Sequence, residues 1–281
     1  MATRLRPGRL LWPLAPLAIL THLGLGSVAV VEYLRLHWLA SEPYELTAVT
    51  VVAVSAAAAL VGALRVAWRA ARSGRALRRL AQTATRPVPA AVAVVAEEMG
   101  VTGRVEVVSA GEAFAVTHGL ARPRILLSTG LVDALDRAEL TAVLAHERHH
   151  LRARDPMRLL AGRMLAGYGW FLPWLGWWTR RSALRHEVAA DRAATARAGV
   201  AAVAGALLKL ADAPAPAAVA AANPMGDLPE RIAHLEGRQP TRMHRGRGWL
   251  LGAASLANLA GLSAAAICCT GLGVAMTGGM T

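Results

Sequence analysis

Ala145-His146-Glu147-Arg148-His149-His150-Leu151 is the stretch on which the reading of this chain depends. His146, Glu147 and His150 form H-E-x-x-H. Residues four apart share one face of a helix, so both imidazoles can reach a single point. Two neutral imidazoles converging in this way suit a zinc ion, with Glu147 turned toward a water on the metal. The helix has a clear start. Asp136-Arg137-Ala138-Glu139 has the D-x-x-E pattern of a capping box, and Leu140, Val143 and Leu144 follow at helical spacing to give a buried face.

A catalytic zinc takes three protein ligands and keeps one position for water. The extension that would supply a third histidine at position 156 is excluded, because Pro156 stands there and Ala153 replaces the glycine it needs. Further on, Glu187-Val188-Ala189-Ala190-Asp191 places two carboxylates one helical turn apart. Glu187 is the expected third ligand and Asp191 the group that orients a ligand histidine through its other ring nitrogen. His186 is the alternative ligand. His149 faces away on an ideal helix, and His118 and His234 are read as structural.

Upstream of the motif the pattern is that of a small α+β domain. Thr85 to Met99 predicts a helix stopped by Gly100. Arg104–Val108, Ala113–Thr117 and Arg124–Ser128 predict short strands. Downstream, Met164–Trp178 is apolar and rich in tryptophan. At about 15 residues it would reach roughly 22 Å as a helix, short of a ~30 Å bilayer core. Arginines flank both ends, and Gly169 and Pro173 favour a bend. A hairpin over 159–178 dipping into the membrane surface is therefore expected. Ser182–Ala198, Ala201–Ala211 and Pro229–Glu236 predict helices, with an Ala/Pro linker at Asp212–Pro224.

Farther out the chain resembles a membrane protein. Of 281 residues, 55% are hydrophobic, and mean hydropathy is +0.38. Leu10–Val31, Leu46–Leu64 and Trp249–Met276 carry no Asp, Glu, Lys or Arg. Each is long enough to span a bilayer. The net charge of +13 is almost all arginine, and it clusters beside these runs. Positive flanks orient spans toward the cytoplasm, so no direct nucleic-acid binding is expected. Cys268 and Cys269 are adjacent within an apolar run and form neither a disulfide framework nor a metal site.

The expected fold class is a mainly α membrane protein: transmembrane helices plus a cytoplasmic α+β domain with a small sheet. Residues 1–82 would form a transmembrane hairpin (helices about 10–31 and 46–64) with an Arg-rich cytoplasmic flank. Residues 83–245 would form the cytoplasmic domain and 246–281 a C-terminal transmembrane helix ending on the outer face. The localisation expected is the cell membrane, multi-pass.

H-E-x-x-H on a capped helix, then E-x-x-x-D on a second helix after an apolar Trp/Pro stretch, resembles the BlaR/MecR-type membrane metallopeptidases. The likeness runs from about Val105 to Ala198. It includes Ala113-Phe114-Ala115-Val116, Arg122–Leu131 and His150–Pro156. It implies a gluzincin-type zinc protease domain holding one Zn2+ per chain on His146, His150 and Glu187, with Glu147 as catalytic base. Heat-shock and CAAX-processing membrane proteases share these motifs and give the alternative reading, as does a non-catalytic zinc-binding signalling protein. The implied partners are the lipid bilayer and a protein or peptide substrate, with a transcriptional repressor suggested by the family. Antibiotic-sensing members carry a penicillin-binding domain beyond the last span, and the sequence has no counterpart, so antibiotic sensing is not expected. An extended substrate would add to a strand edge near the metal helix. The expected edge is Arg124–Ser128 (Ile125, Leu126 and Leu127), or Ala113–Thr117 alongside it.

Overall fold

The computed structural model describes residues 43–170, 172–211, 228–238 and 250–255, together with 216, 217 and 219. The expected spans at 10–31 and 246–281 lie outside the described residues, except for 250–255, which are helical. The chain is mostly helical with one four-stranded sheet. It divides into two compact units. One comprises Met1–Val66, Ala161–Thr179 and Arg245–Thr281, and the other Ala67–Leu160 and Arg180–His244.

Helix α1, Pro43–Ala84, covers the expected second span and the arginine row behind it. Its side chains are described from residue 57 onward, except at position 83. Among the described residues no helix is long and apolar enough to cross a membrane. Strand β1, Thr85–Arg86, follows directly. The single helix expected over Thr85–Met99 is therefore corrected to a strand and a shorter helix, α2, Ala90–Glu98. Pro87 and Pro89 are the cause. Each lacks an N–H and biases the residue before it toward extended backbone. Gly100 closes α2 at φ +62.

Strands β2 (Val105–Val108), β3 (Ala115–His118) and β4 (Arg124–Ser128) complete the sheet in the order β1-β2-β4-β3. β4 runs parallel to β2, with Val105 opposite Ile125, and antiparallel to β3, with Ala115 opposite Leu127. This corrects the expected binding edge. Ile125, Leu126 and Leu127 are paired on both sides and each is 0% exposed, so no substrate can add to β4. Their run of consecutive apolar residues is that of a strand covered on both faces. Ile125 and Leu127 join Val92, Val95, Val107, Leu144 and Leu207 in one core. Leu126 points the other way, with Leu77, Val108, Phe114 and Val116. The edge strand nearest the metal helix is β3.

After β4 a short helix, α3 (Thr129–Ala134), leads into α4, Arg137–Ala153. The capping box is formed in full. Asp136 accepts from the Glu139 N–H at 2.8 Å, and Glu139 accepts from the Asp136 N–H at 2.9 Å. Lys209, on helix α7 (Val200–Ala211), also binds Glu139, at 2.5 Å. Helix α4 ends at Arg154, which adopts left-handed backbone at φ 54.

Helices α5 (Asp155–Tyr168) and α6 (Pro173–Ala198) are separated by the bend at Gly169. The helix expected from Ser182 begins nine residues earlier, at Pro173. In the first unit, α1 and α5 approach so closely that a Cβ on Gly62 would lie 2.1 Å from the Gly167 carbonyl oxygen. Helix α8, Leu228–Leu235, closes the second unit.

Candidate metal centre

The buried face of α4 presents its two histidines side by side, with Nε2 of His146 3.0 Å from Nε2 of His150. Helix α6 brings Glu187 against both. Oε2 lies 3.5 Å from His146 Nε2, and Oε1 lies 3.5 Å from His150 Nε2. These three side chains offer ligand atoms that all lie within 4.8 Å of one another. His186, the alternative ligand, is not among them. Its Nδ1 instead lies 2.9 Å from Asp155 Oδ1.

Each ring is held from behind by a carboxylate. His146 Nδ1 lies 3.0 Å from Asp191 Oδ1, and His150 Nδ1 bonds Asp155 Oδ2 at 2.8 Å. Burial resists ionisation of both acids. Nevertheless their histidine partners, and Arg231 for Asp191, hold both well below the usual carboxylate range. An ionised carboxylate takes an N–H from Nδ1 and so leaves the Nε2 lone pair facing the partner ring.

Two lone pairs at 3.0 Å repel unless a cation or a proton lies between them. Burial disfavours charge on His146, but Asp191 and Glu187 raise it to about 9, so without metal the site retains a proton. Glu187, also opposed by burial, is pulled down to about 2 by His146 and the other cations around it. Its Oε2 is buried with no hydrogen-bond partner. Two basic nitrogens and an ionised carboxylate with one unsatisfied buried oxygen fit a divalent cation that prefers mixed N/O ligands.

Glu147 is buried, at 4% exposure, and the Thr117 hydroxyl donates to its Oε2 at 2.6 Å. Thr117 also lies 3.1 Å from the Glu147 carbonyl oxygen, so β3 fixes the Glu147 carboxylate. Beside it a cleft opens, lined by Ala113, Phe114 and Ala115 of the β3 approach, by His146 and Glu147, and by apolar side chains of α4, α6 and α7.

Arg231 of α8 enters the same cleft. Its Nε and Nη2 donate to Asp191 at 2.8 and 2.6 Å, and its Nη1 lies 3.3 Å from Glu187 Oε2. Sequence reasoning missed Arg231, Thr117 and the role of Asp155. Asp155 alone had a local signal, since it follows His150 by five residues across the end of α4. His118 and His234, read from the sequence as structural, each lie beside a charged side chain outside the metal centre. His118 Nε2 is 3.4 Å from Glu106, and His234 accepts from Arg192 at 2.8 Å.

A profile of the family described as BlaR1 peptidase M56 matches residues 37–235. The chain belongs to this family. The M56 match takes in α4, both carboxylates of α6 and Arg231. Over 55 residues the chain is also 44% identical to a protease HtpX homolog of Acidiphilium cryptum (strain JF-5). That stretch is 20% of this chain and 19% of that protein, so the likeness spans about a fifth of the relative's length. No solved structure matches.

Proposed function

We propose that this M56 peptidase is a zinc-dependent endopeptidase of the cell membrane that cuts a cytosolic or membrane-proximal protein in regulatory or quality-control proteolysis. The observation that carries this is the convergence of His146, His150 and Glu187 beside a buried Glu147. His146, His150 and Glu187 would hold one Zn2+, with Asp191 and Asp155 fixing the rings. A metal held there supplies Lewis acidity, polarising a carbonyl and bringing the pKa of water to about 7.

The chain's own groups do the rest. Glu147 accepts a proton from the attacking water and returns it to the leaving amine. Thr117 holds the Glu147 carboxylate toward the cleft. The β3 edge, with Ala113 to Ala115 on the cleft wall, would receive an extended substrate through main-chain hydrogen bonds.

The domain plan expected from the sequence remains our reading: membrane spans within 1–82 and 246–281, a cytoplasmic protease domain at 83–245 and a hairpin at 159–178 entering the bilayer surface. In support, the first unit exposes Leu60, Val61, Leu64, Trp170, Trp174 and Leu250, an apolar surface that lipid would cover. A heat-shock/CAAX-type membrane protease is the second reading, in keeping with the likeness to a protease HtpX homolog; a transcriptional-repressor substrate is the reading the family favours.

Metal analysis and casein cleavage by the purified full chain test the proposal. Glu147→Gln should retain zinc and lose proteolysis, whereas His146→Ala, His150→Ala and Glu187→Ala should each lose zinc. Full zinc retention in Glu187→Ala would remove it as a ligand. Single cysteines at Arg154 and Arg185, in a chain lacking Cys268 and Cys269, should label from the cytoplasmic side alone. Labelling of either from outside would overturn the topology.

A further inference from the structure

We propose that Arg231 is a catalytic residue: its Nη1 edge, turned toward Glu187, binds the substrate carbonyl oxygen and stabilises the negative charge that develops there. This rests on reading the site as a peptidase centre. Three observations carry it. Arg231 is 9% exposed and lines the cleft with His146 and Glu147. It is also the one cationic side chain among the described residues lining that cleft besides the histidine. Finally, its donors are unevenly used.

Nε and one Nη2 hydrogen are spent on Asp191 in a two-point fork, which fixes the plane of the guanidinium. Nη1 is close to Glu187, but that oxygen receives no hydrogen bond. Among the described residues, Nη1 is thus held by this 3.3 Å ion pair and not by a hydrogen-bonded fork like the one on Asp191. A guanidinium serving only to brace Asp191 would need no face on the cleft. Here a fixed, poorly hydrated cation presents its Nη1 donors between Glu187 and the cleft that also holds the general base, the preorganised arrangement that favours charge developing in a transition state.

In the step this serves, the water oxygen bonds to the carbonyl carbon while Glu147 takes the water proton. The C=O π pair moves onto the oxygen, where the Nη1 hydrogens donate. When the C–N bond breaks, that pair re-forms C=O and the nitrogen leaves with the proton from Glu147. Peptide and water become an acid and an amine.

The test uses the full chain in detergent, loaded with zinc, with labelled casein or a quenched peptide as substrate. Arg231→Lys keeps the charge near Asp191 but loses the fork. Expected are zinc affinity within about threefold of the parent by chelator competition, KM little changed, and kcat lower by about 100-fold, the usual cost of one such donor. Activity of Arg231→Ala should rise at least about tenfold with added ethylguanidinium, at constant zinc content. If the activity lost in Arg231→Lys merely tracks zinc lost, with parental activity per bound zinc, Arg231 is a brace and the proposal is overturned. Parental kcat in Arg231→Lys overturns it equally. Full activity of Glu147→Gln would instead defeat the peptidase reading itself.

Discussion

His146 and His150 stand one turn apart on the same helix, yet the carboxylates behind them reach the site by different routes. Asp155 is a local partner, five residues beyond His150. The left-handed turn at Arg154 places it there, and it serves a second histidine, His186. Asp191 comes from a separate helix and is itself gripped by Arg231, forty residues further on. The distant arm is braced by a permanent charge, since an arginine stays charged at any accessible pH. One side of the site is thus a property of a turn and the other a property of the tertiary fold.

The largest effect expected from breaking this contrast is that of Asp191→Asn. It leaves the Arg231 charge buried without its fork, a loss of about 3–5 kcal/mol, and lowers metal affinity by about 10–100-fold. Denaturant unfolding and chelator competition on the purified chain measure the two. Asp155→Asn should lower metal affinity by the same 10–100-fold while costing only about 1–2 kcal/mol of stability, the price of a hydrogen bond left unmade. Equal destabilisation by the two variants would erase the contrast.

The metal-free protein sharpens it by pH. His146 is raised to about 9, above its ordinary 6.5, so its stabilising charge is fully present below about pH 6.5 and is lost as pH rises through 9. Asp155, Asp191 and Glu187 are all lowered, so their contribution is present above about pH 4.5 and falls away in acid. Chelator-treated protein should therefore be most stable between about pH 4.5 and 6.5 and should weaken toward pH 9. Metal-loaded protein should not show the alkaline loss. A flat melting profile from pH 6.5 to 9 without metal would show that no proton bridges the two rings.

Smaller effects follow at the edges of the site. Thr117→Val removes the hydrogen bond to Glu147, worth about 1 kcal/mol, so proteolysis should fall about fivefold with zinc content unchanged. Arg154→Gly, at the left-handed turn, should change stability by no more than about 1 kcal/mol, in the stabilising direction. It should leave metal affinity as it was. A large loss of affinity there would mean that the Arg154 side chain, not the backbone turn, sets the local arm.

What was legible in the sequence follows the same division. The capping box, the α4 face and the strand Arg124–Ser128 rest on local periodicity and are formed where the pattern put them. Glu187 and Asp191 could be picked out because one helical turn separates them. Arg231 could not be, because it stands on a short helix beyond an Ala/Pro linker and nothing nearby ties it to α6. Thr117 was equally hidden, since its reach to Glu147 depends on which strand lies next to the metal helix. That strand order also defeated the choice of binding edge. A parallel crossover from β2 to β4 encloses Ile125–Leu127, and no local pattern states which strand ends a sheet. The start of α2 was misread for a simpler reason, because the apolar spacing outweighed two prolines.

Pro173–Ala198 is one unbroken helix, running from the tryptophan-rich bend to Glu187 and Asp191. Each residue of such a helix advances the phase by about 100° and the length by about 1.5 Å. The angle between Glu187 and Asp191 is therefore set by the count of residues between them, not by which residues fill the interval. One residue added between Glu187 and Asp191 would rotate one carboxylate about a quarter-turn from the other, so that they could no longer face the same histidine. Side-chain replacements in the same interval leave the phase untouched. A one-residue insertion there is the change the site can least absorb.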